Sequence, residues 1–152
     1  MRCNAKIFNT DHLFGGRRYR MAISYETNGA VTPQEVLALL GQGGFPRPLN
    51  DPERARAMLD NASFYIAARD EGEMVGWVRV LTDYVYYGIV TEVAVAPSHK
   101  GKGVGKEMLR IARETATPKA TLVLVSSEEG APFYDHLGWE HARRAFRLRR
   151  SE

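Results

Sequence analysis

The stretch Val93–Arg110, "VAVAPSHKGKGVGKEMLR", decides how the chain is read. It opens as an apolar strand, meets Pro97, and then alternates Gly101, Gly103 and Gly105 with Lys102 and Val104. A helical pattern begins at once. Val104, Met108, Ile111, Ala112 and Thr115 fall on one face, and Lys106, Arg110 and Arg113 on another. A strand, a glycine turn and a helix start together make an anion site. Glycines let the backbone approach the anion, and the free amides of the helix start carry the positive end of the dipole. Lys100, Lys102 and Lys106 add charge. The alternative is a plain glycine turn with solvated lysines.

Two phosphate motifs fail here. A Walker loop needs GxxxxGK[ST], but Lys100 stands where the first glycine must be and Glu107 where the hydroxyl must be. The dinucleotide fingerprint GxGxxG fails because the glycines are spaced GxGxG.

Outward from this turn the chain reads as alternating elements. "MAISYETNG" alternates and ends at Asn28-Gly29, which predicts a first strand. "TPQEVLALLG" has Thr32 to cap, Pro33 at the first helical position and Glu35 to close a capping box, with Gly41 as a stop. "GGFPRPLN" reads as a loop, and Asp51-Pro52 starts a second helix. "SFYIAARDEGEMVGWVRVLTD" predicts two strands joined at Asp70–Gly72, and "YYGIVTEVAVAP" a longer strand. "TLVLVSS" is apolar on both parities, as a central buried strand is. "APFYDHLGW" predicts a short helical turn stopped by Gly138. "HARRAFRLRR" alternates Phe146 and Leu148 with arginines and predicts a last strand near an edge. The order β-α-α-β-β-β-α-β-α-β describes a mixed sheet with helices rather than a βαβ repeat.

Length and composition suit this picture. The 152 residues, 44% hydrophobic and 26% charged, fit one soluble domain with a real core. No apolar run is long enough to span a membrane, and residues 1–20 lack a secretory h-region, so a cytoplasmic location is expected. Those residues differ from the rest, so the expected division is an arm of unknown role at 1–20 and a domain at 21–152. Cys3 is the only cysteine, which excludes an intrachain disulfide. The four histidines have no cysteine partners and no HExxH frame, so no metal site is expected. A net charge of +3 and a pI near 9.1 suit an anionic ligand without requiring nucleic acid.

Two distant strings point to one family. "VAVAPSHKGKGVGKEML" resembles the acetyl-CoA signature of the GNAT N-acetyltransferases, [QR]-x-x-G-x-[GA] after a V-x-V-x-P strand, with Lys100 in place of the usual Arg or Gln. "APFYDHLGWE" resembles the family's F-Y-x-x-x-G-[FW] segment at Phe133-Tyr134 and Gly138-Trp139. The resemblance covers about residues 22–150. "GFPRP", "VGWVRVLTD" and "TEVAVAP" look most like the family's arylalkylamine branch of plants and cyanobacteria. Such enzymes often carry Asp or Asn where this chain has Ser127, so their substrate contacts do not carry over whole.

The resemblance implies a mostly antiparallel sheet of six or seven strands with about four helices. It is splayed between the strand ending at Val95 and the strand Thr121–Val125. Pantetheine of the cosubstrate acetyl-CoA would pair along Val93, Ala94 and Val95, like an added strand, and its pyrophosphate would sit on Lys100, Gly101, Lys102, Gly103, Val104, Gly105 and Lys106. Acetyl transfer to an amine needs a polarised carbonyl, a deprotonated ammonium, a protonated leaving thiolate and aligned substrates. Tyr134 is the candidate acid. Glu92, the one carboxylate within its strand, is the candidate base, directly or through water. Asp83, Tyr84 and Ser127 are candidate substrate contacts, with Tyr86 and Tyr87 crowding the same loop. His99 and His136 read as surface residues. The partner implied is a small-molecule or peptide amine, with no nucleic acid and no membrane, and a homodimer is compatible. The rival reading is a non-enzymatic acyl-CoA-binding module on the same fold.

Overall fold

The computed structural model describes residues 23–43 and 50–151. The arm at 1–20, Cys3, the start of the first strand at Met21 and the "GFPRP" loop lie outside the described residues.

Five strands form one sheet in chain order: β1 (Ser24–Thr27), β2 (Phe64–Asp70), β3 (Glu73–Thr82), β4 (Tyr87–Val95) and β5 (Thr121–Leu124). The first four are antiparallel, and β4 and β5 are parallel. Four helices accompany them: α1 (Pro33–Gln42), α2 (Pro52–Asp60), α3 (Val104–Thr115) and α4 (Ala131–His136). None of them is long and apolar enough to cross a membrane, and no group of metal-ligating side chains is found among the described residues.

The helix starts follow from local chemistry. At α1 the Thr32 amide donates to Glu35 Oε2 at 2.8 Å, and the Glu35 amide donates to Thr32 Oγ1 at 3.2 Å, a complete capping box. Asp51 Oδ1 accepts the Arg54 amide at 2.9 Å and starts α2. The β2–β3 turn uses Glu71 at φ 48° and Gly72 at φ 88°. Helix α1 buries Val36, Leu39 and Leu40 and packs on β3 and β4, while α3 buries Val104, Met108 and Leu109 and packs on β2, β3 and β4. Trp77, Phe64, Leu40, Ile66 and Met108 are the largest fully buried apolar side chains among the described residues.

Three expectations are corrected. The sheet has five strands among the described residues rather than six or seven. "HARRAFRLRR" forms no strand: Phe146 and Leu148 are 98% and 100% exposed. Alternation with arginine supplies the pattern, but a strand forms only where a neighbour pairs with it and buries its apolar face. Strand β5 is an edge strand and half-buried rather than central, and it ends at Leu124.

Candidate active site

The site is built on an irregularity in β4. Antiparallel pairing sets Arg79 against Glu92 but Val80 against Val90, so Thr91 is an extra residue on β4. Such a bulge bends its strand and raises the local twist. Strand β5 follows β4 only from Tyr87 to Val90, where Val90 meets Leu124. Pairing stops at Val90 because β5 ends at Leu124, so Val93 to Val95 have no β5 partner among the described residues, which fits the expected splay.

Beyond the open edge the chain makes a 3-10 turn at Pro97–His99 and the glycine turn. Gly101 and Gly103 sit at φ 77° and 82°, the left-handed region that favours glycine. A Cβ at either would meet nothing within 4 Å, so the space above this backbone is open. The amides of Gly101, Gly103, Val104, Gly105 and Lys106 find no backbone acceptor among the described residues, and the first i→i−4 bond of α3 is Glu107 N–H to Gly103 O at 3.0 Å. Lys100, Lys102 and Lys106 are exposed around these donors. An open cradle of free amides with cationic flanks fits a pyrophosphate.

Gly105 has a different reason to be glycine. A Cβ there would lie 3.2 Å from Phe133 Cζ and 3.6 Å from Val95 Cγ2. The two sequence motifs thus meet physically, with the Phe133 ring of α4 against the first turn of α3. Tyr134 follows, half-buried, with its ring edge-on to Phe133 at 5.1 Å and to Trp139 at 5.8 Å. Burial pushes its phenol above the ordinary tyrosine value of 10.0, so it stays protonated at neutral pH. Tyr134 shares a small cavity of about 120 Å³ with Leu124, the last β5 residue paired to β4, and with Ser126 and Trp139.

Glu92 sits differently from the expected base. Cross-strand pairing puts Arg79 and Trp77 on the same face as Glu92 and Ala94, while Gly76 and Val95 share the face of α3, where Gly76 abuts Met108. The Glu92 carboxylate has no solvent exposure. It accepts from Arg79 Nε at 2.6 Å, from Arg79 Nη2 at 3.1 Å and from Thr91 Oγ1 at 2.8 Å. Arg79 also donates to the Met58 carbonyl of α2 at 3.3 Å. Val93 and Val95 are half-buried, and Ala94 is buried.

The candidate substrate residues have local partners. Asp83 Oδ1 accepts the amides of Val85, Tyr86 and Tyr87 at 2.9, 2.8 and 3.1 Å, which holds its carboxyl below the usual range. Tyr84 donates its hydroxyl to Ser63 O at 2.9 Å. Both lie at the start of β4, with the glycine turn beyond its other end. Ser127 Oγ accepts the Gly130 amide at 3.1 Å in the turn that leads into α4. Two residues escaped the sequence reading. Arg79 is the buried partner of Glu92, and His99 is no free surface residue, because its Nε2 lies 2.8 Å from Asp70 Oδ2. No local pattern reveals either, since the partners are 13 and 29 residues apart.

Comparison with known proteins agrees with this geometry. A sequence model of the family described as "Acetyltransferase (GNAT) domain" matches residues 60–141, just over half of the chain. Among solved structures, a Deinococcus radiodurans protein whose acetyltransferase assignment is itself inferred is 28% identical. It matches over 90% of this chain and 94% of its own, with a TM-score of 0.70. An aminoglycoside N-acetyltransferase solved with CoA shares the fold, at TM-score 0.67 and 16% identity over 85% of this chain and 95% of its own. A histone acetyltransferase of Glycine max is 25% identical over 78% of this chain and 56% of its own length. The chain spans between a third and a little over half of the first curated relatives it matches, at 33%, 56% and 52%.

Proposed function

The chain belongs to the GNAT acetyltransferase family, and from that premise we propose that it moves an acetyl group from acetyl-CoA to a primary amine by direct attack in a ternary complex. The observation that carries this is the β4 edge from Val93 to Val95, which β5 does not pair, running into a turn whose Gly101, Gly103, Val104, Gly105 and Lys106 amides find no backbone acceptor among the described residues. An extended pantetheine arm completes the open edge as an added strand would, and the pyrophosphate takes the amides and the lysines.

In this reading the amine nitrogen attacks the thioester carbonyl carbon. The C–N bond forms, the C–S bond breaks, and the sulfur leaves with its electron pair. Backbone amides along Val93–Val95 polarise the carbonyl. Tyr134 gives a proton or a strong hydrogen bond to the sulfur as charge develops on it. Glu92 is locked to Arg79, and to take the ammonium proton it would have to release that pair, so water carries the proton. Asp83, Tyr84 and Ser127 remain candidates for the acceptor end. Their local bonds support a role in shaping those turns. An arylalkylamine acceptor is the finer proposal, and it rests on the strings "GFPRP", "VGWVRVLTD" and "TEVAVAP".

The test is thiol release from acetyl-CoA against a panel of arylalkylamines, polyamines, amino sugars and peptide N-termini, with a no-acceptor control. Amine-dependent CoA release supports the proposal. Tight CoA binding with no turnover on any amine would favour the non-enzymatic module instead. No CoA binding at all would overturn both.

A further inference from the structure

Within the glycine turn most bonds are local. His99 N–H donates to Ala96 O at 2.8 Å, while Lys100 N–H to Pro97 O and Lys102 N–H to His99 O are both long, at 3.4 Å. The entry to the turn is held by Ala96 N–H to Val75 O at 2.8 Å. Past that point one side chain ties the turn to another element. His99 Nε2 meets Asp70 Oδ2, at the end of β2, across 2.8 Å. The pair is sheltered, with the two side chains 11% and 23% exposed. Ser98 Oγ lies 2.9 Å from His99 Nδ1. With the Ser98 hydroxyl donating to Nδ1, a neutral ring carries its proton on Nε2, aimed at Asp70.

The residues that follow need such a tether. Gly101 and Gly103 sit in left-handed backbone that only glycine adopts readily, and glycine has the most conformational freedom to lose. A turn whose amides must converge on one anion is useful only while its backbone is held in that conformation.

We propose that His99 and Asp70 form a positioning pair that fixes the Lys100–Gly105 backbone in its pyrophosphate-binding conformation, with Ser98 setting the tautomer of the imidazole. This rests on the acetyl-CoA reading above and assigns it two residues that touch neither the thioester nor the amine. Without the tether the binding-competent turn becomes a minority conformation. If its population falls to about a tenth, the apparent Kd for CoA rises about tenfold. Once CoA is bound the turn is ordered again, so turnover at saturation is preserved.

The experiment measures CoA affinity by calorimetry, and KM and kcat for acetyl-CoA, in wild type, His99→Ala, Asp70→Ala, His99→Gln and Asp70→Asn, with thermal melts alongside. Either alanine variant should raise Kd and KM about tenfold with kcat within about twofold. His99→Gln keeps an N–H donor and Asp70→Asn keeps an acceptor, so both should recover most of the affinity. If His99→Ala does not fold, Asp70→Ala carries the same test from the other side. Wild-type affinity in a folded alanine variant, or a kcat loss with KM unchanged, overturns the proposal. Failure of the conservative variants to rescue overturns it too. A wild type that does not bind CoA would sink the acetyl-CoA reading itself, which is a different result from a wild type that binds and a variant that binds equally well.

Discussion

Replacing Glu92 by Gln should cost far more stability than a surface substitution. Arg79 is 8% exposed, and its bidentate partner is the Glu92 carboxylate at 2.6 and 3.1 Å. Neutralising that carboxylate leaves a buried guanidinium with only the Met58 carbonyl, at 3.3 Å, as a further neutral acceptor. Removing one partner of a buried ion pair costs about 3–5 kcal/mol. The lower figure is apt here because glutamine still accepts one hydrogen bond. With a urea slope of about 2 kcal/mol/M, a loss of about 3 kcal/mol moves the unfolding midpoint down by roughly 1.5 M. The double variant Arg79→Met with Glu92→Leu removes both charges together and should recover most of that loss, since apolar replacements of buried pairs are often neutral or stabilising. The same double variant bears on catalysis. If Glu92 serves Arg79 and not the amine, turnover should survive well within the roughly 10²-fold loss that deleting a general base brings. A Glu92→Gln variant as stable as wild type, or a stable double variant with no turnover, would refute this reasoning and return Glu92 to the base role.

Gly103→Glu should abolish CoA binding by like charge, whereas Gly103→Ala, which keeps the space open but sits at φ 82°, should cost about 1 kcal/mol of stability; titration calorimetry and melts check both. Gly105→Ala should unsettle the α3–α4 contact, seen as altered near-UV signal from Phe133 and Tyr134, because its Cβ would lie 3.2 Å from Phe133 Cζ. Glu35 is held below its ordinary 4.5 by the Arg69 hydrogen bond first and the Thr32 capping bonds after it. A depressed folded value gives stability that is complete above 4.5 and lost as pH falls through the folded value, so Glu35→Gln should flatten the acid side of the stability profile. Tyr134→Phe should lower kcat on the order of 10²-fold with CoA affinity and melting temperature intact, and no activity limb near neutral pH should belong to a phenol that burial pushes upward.

Where the governing chemistry is local, sequence and structure coincide. The capping box Thr32–Glu35, the Asp51 cap, the Asp70–Gly72 turn and the limits of α3 at Val104 and Thr115 depend on residues within four positions of one another. The glycine turn and the α4 segment are legible through two motifs, and the structure brings the two together at Gly105 and Phe133. What escaped is non-local. Residues 141–150 alternate as a strand should, yet a strand is made by its neighbour, and no period of two supplies one. The face that Glu92 takes does not follow from alternation, because alternation assumes an unbroken pleat, and the extra residue at Thr91 shifts the parity of everything before it relative to everything after.

That single inserted residue links the fold to the chemistry. Without a bulge, β4 would run flat from Tyr87 to Val95, and β5 could follow it to the end in a continuous parallel ladder. With the bulge, pairing stops at Val90 and Leu124, and β4 runs on to Val95 beyond the end of β5. An open edge is ordinarily a liability, since unpaired amides and carbonyls invite another strand. Here the opening is bounded. The Phe133 ring of α4 packs against the α3 turn, and β5 ends at Leu124. Past the bulge Glu92 stands opposite Arg79, where its carboxylate neutralises a buried cation. Deleting Thr91 should therefore leave Arg79 opposite Glu92 and Val80 opposite Val90 while removing the bend between them, and calorimetry should show CoA affinity lost with the fold retained.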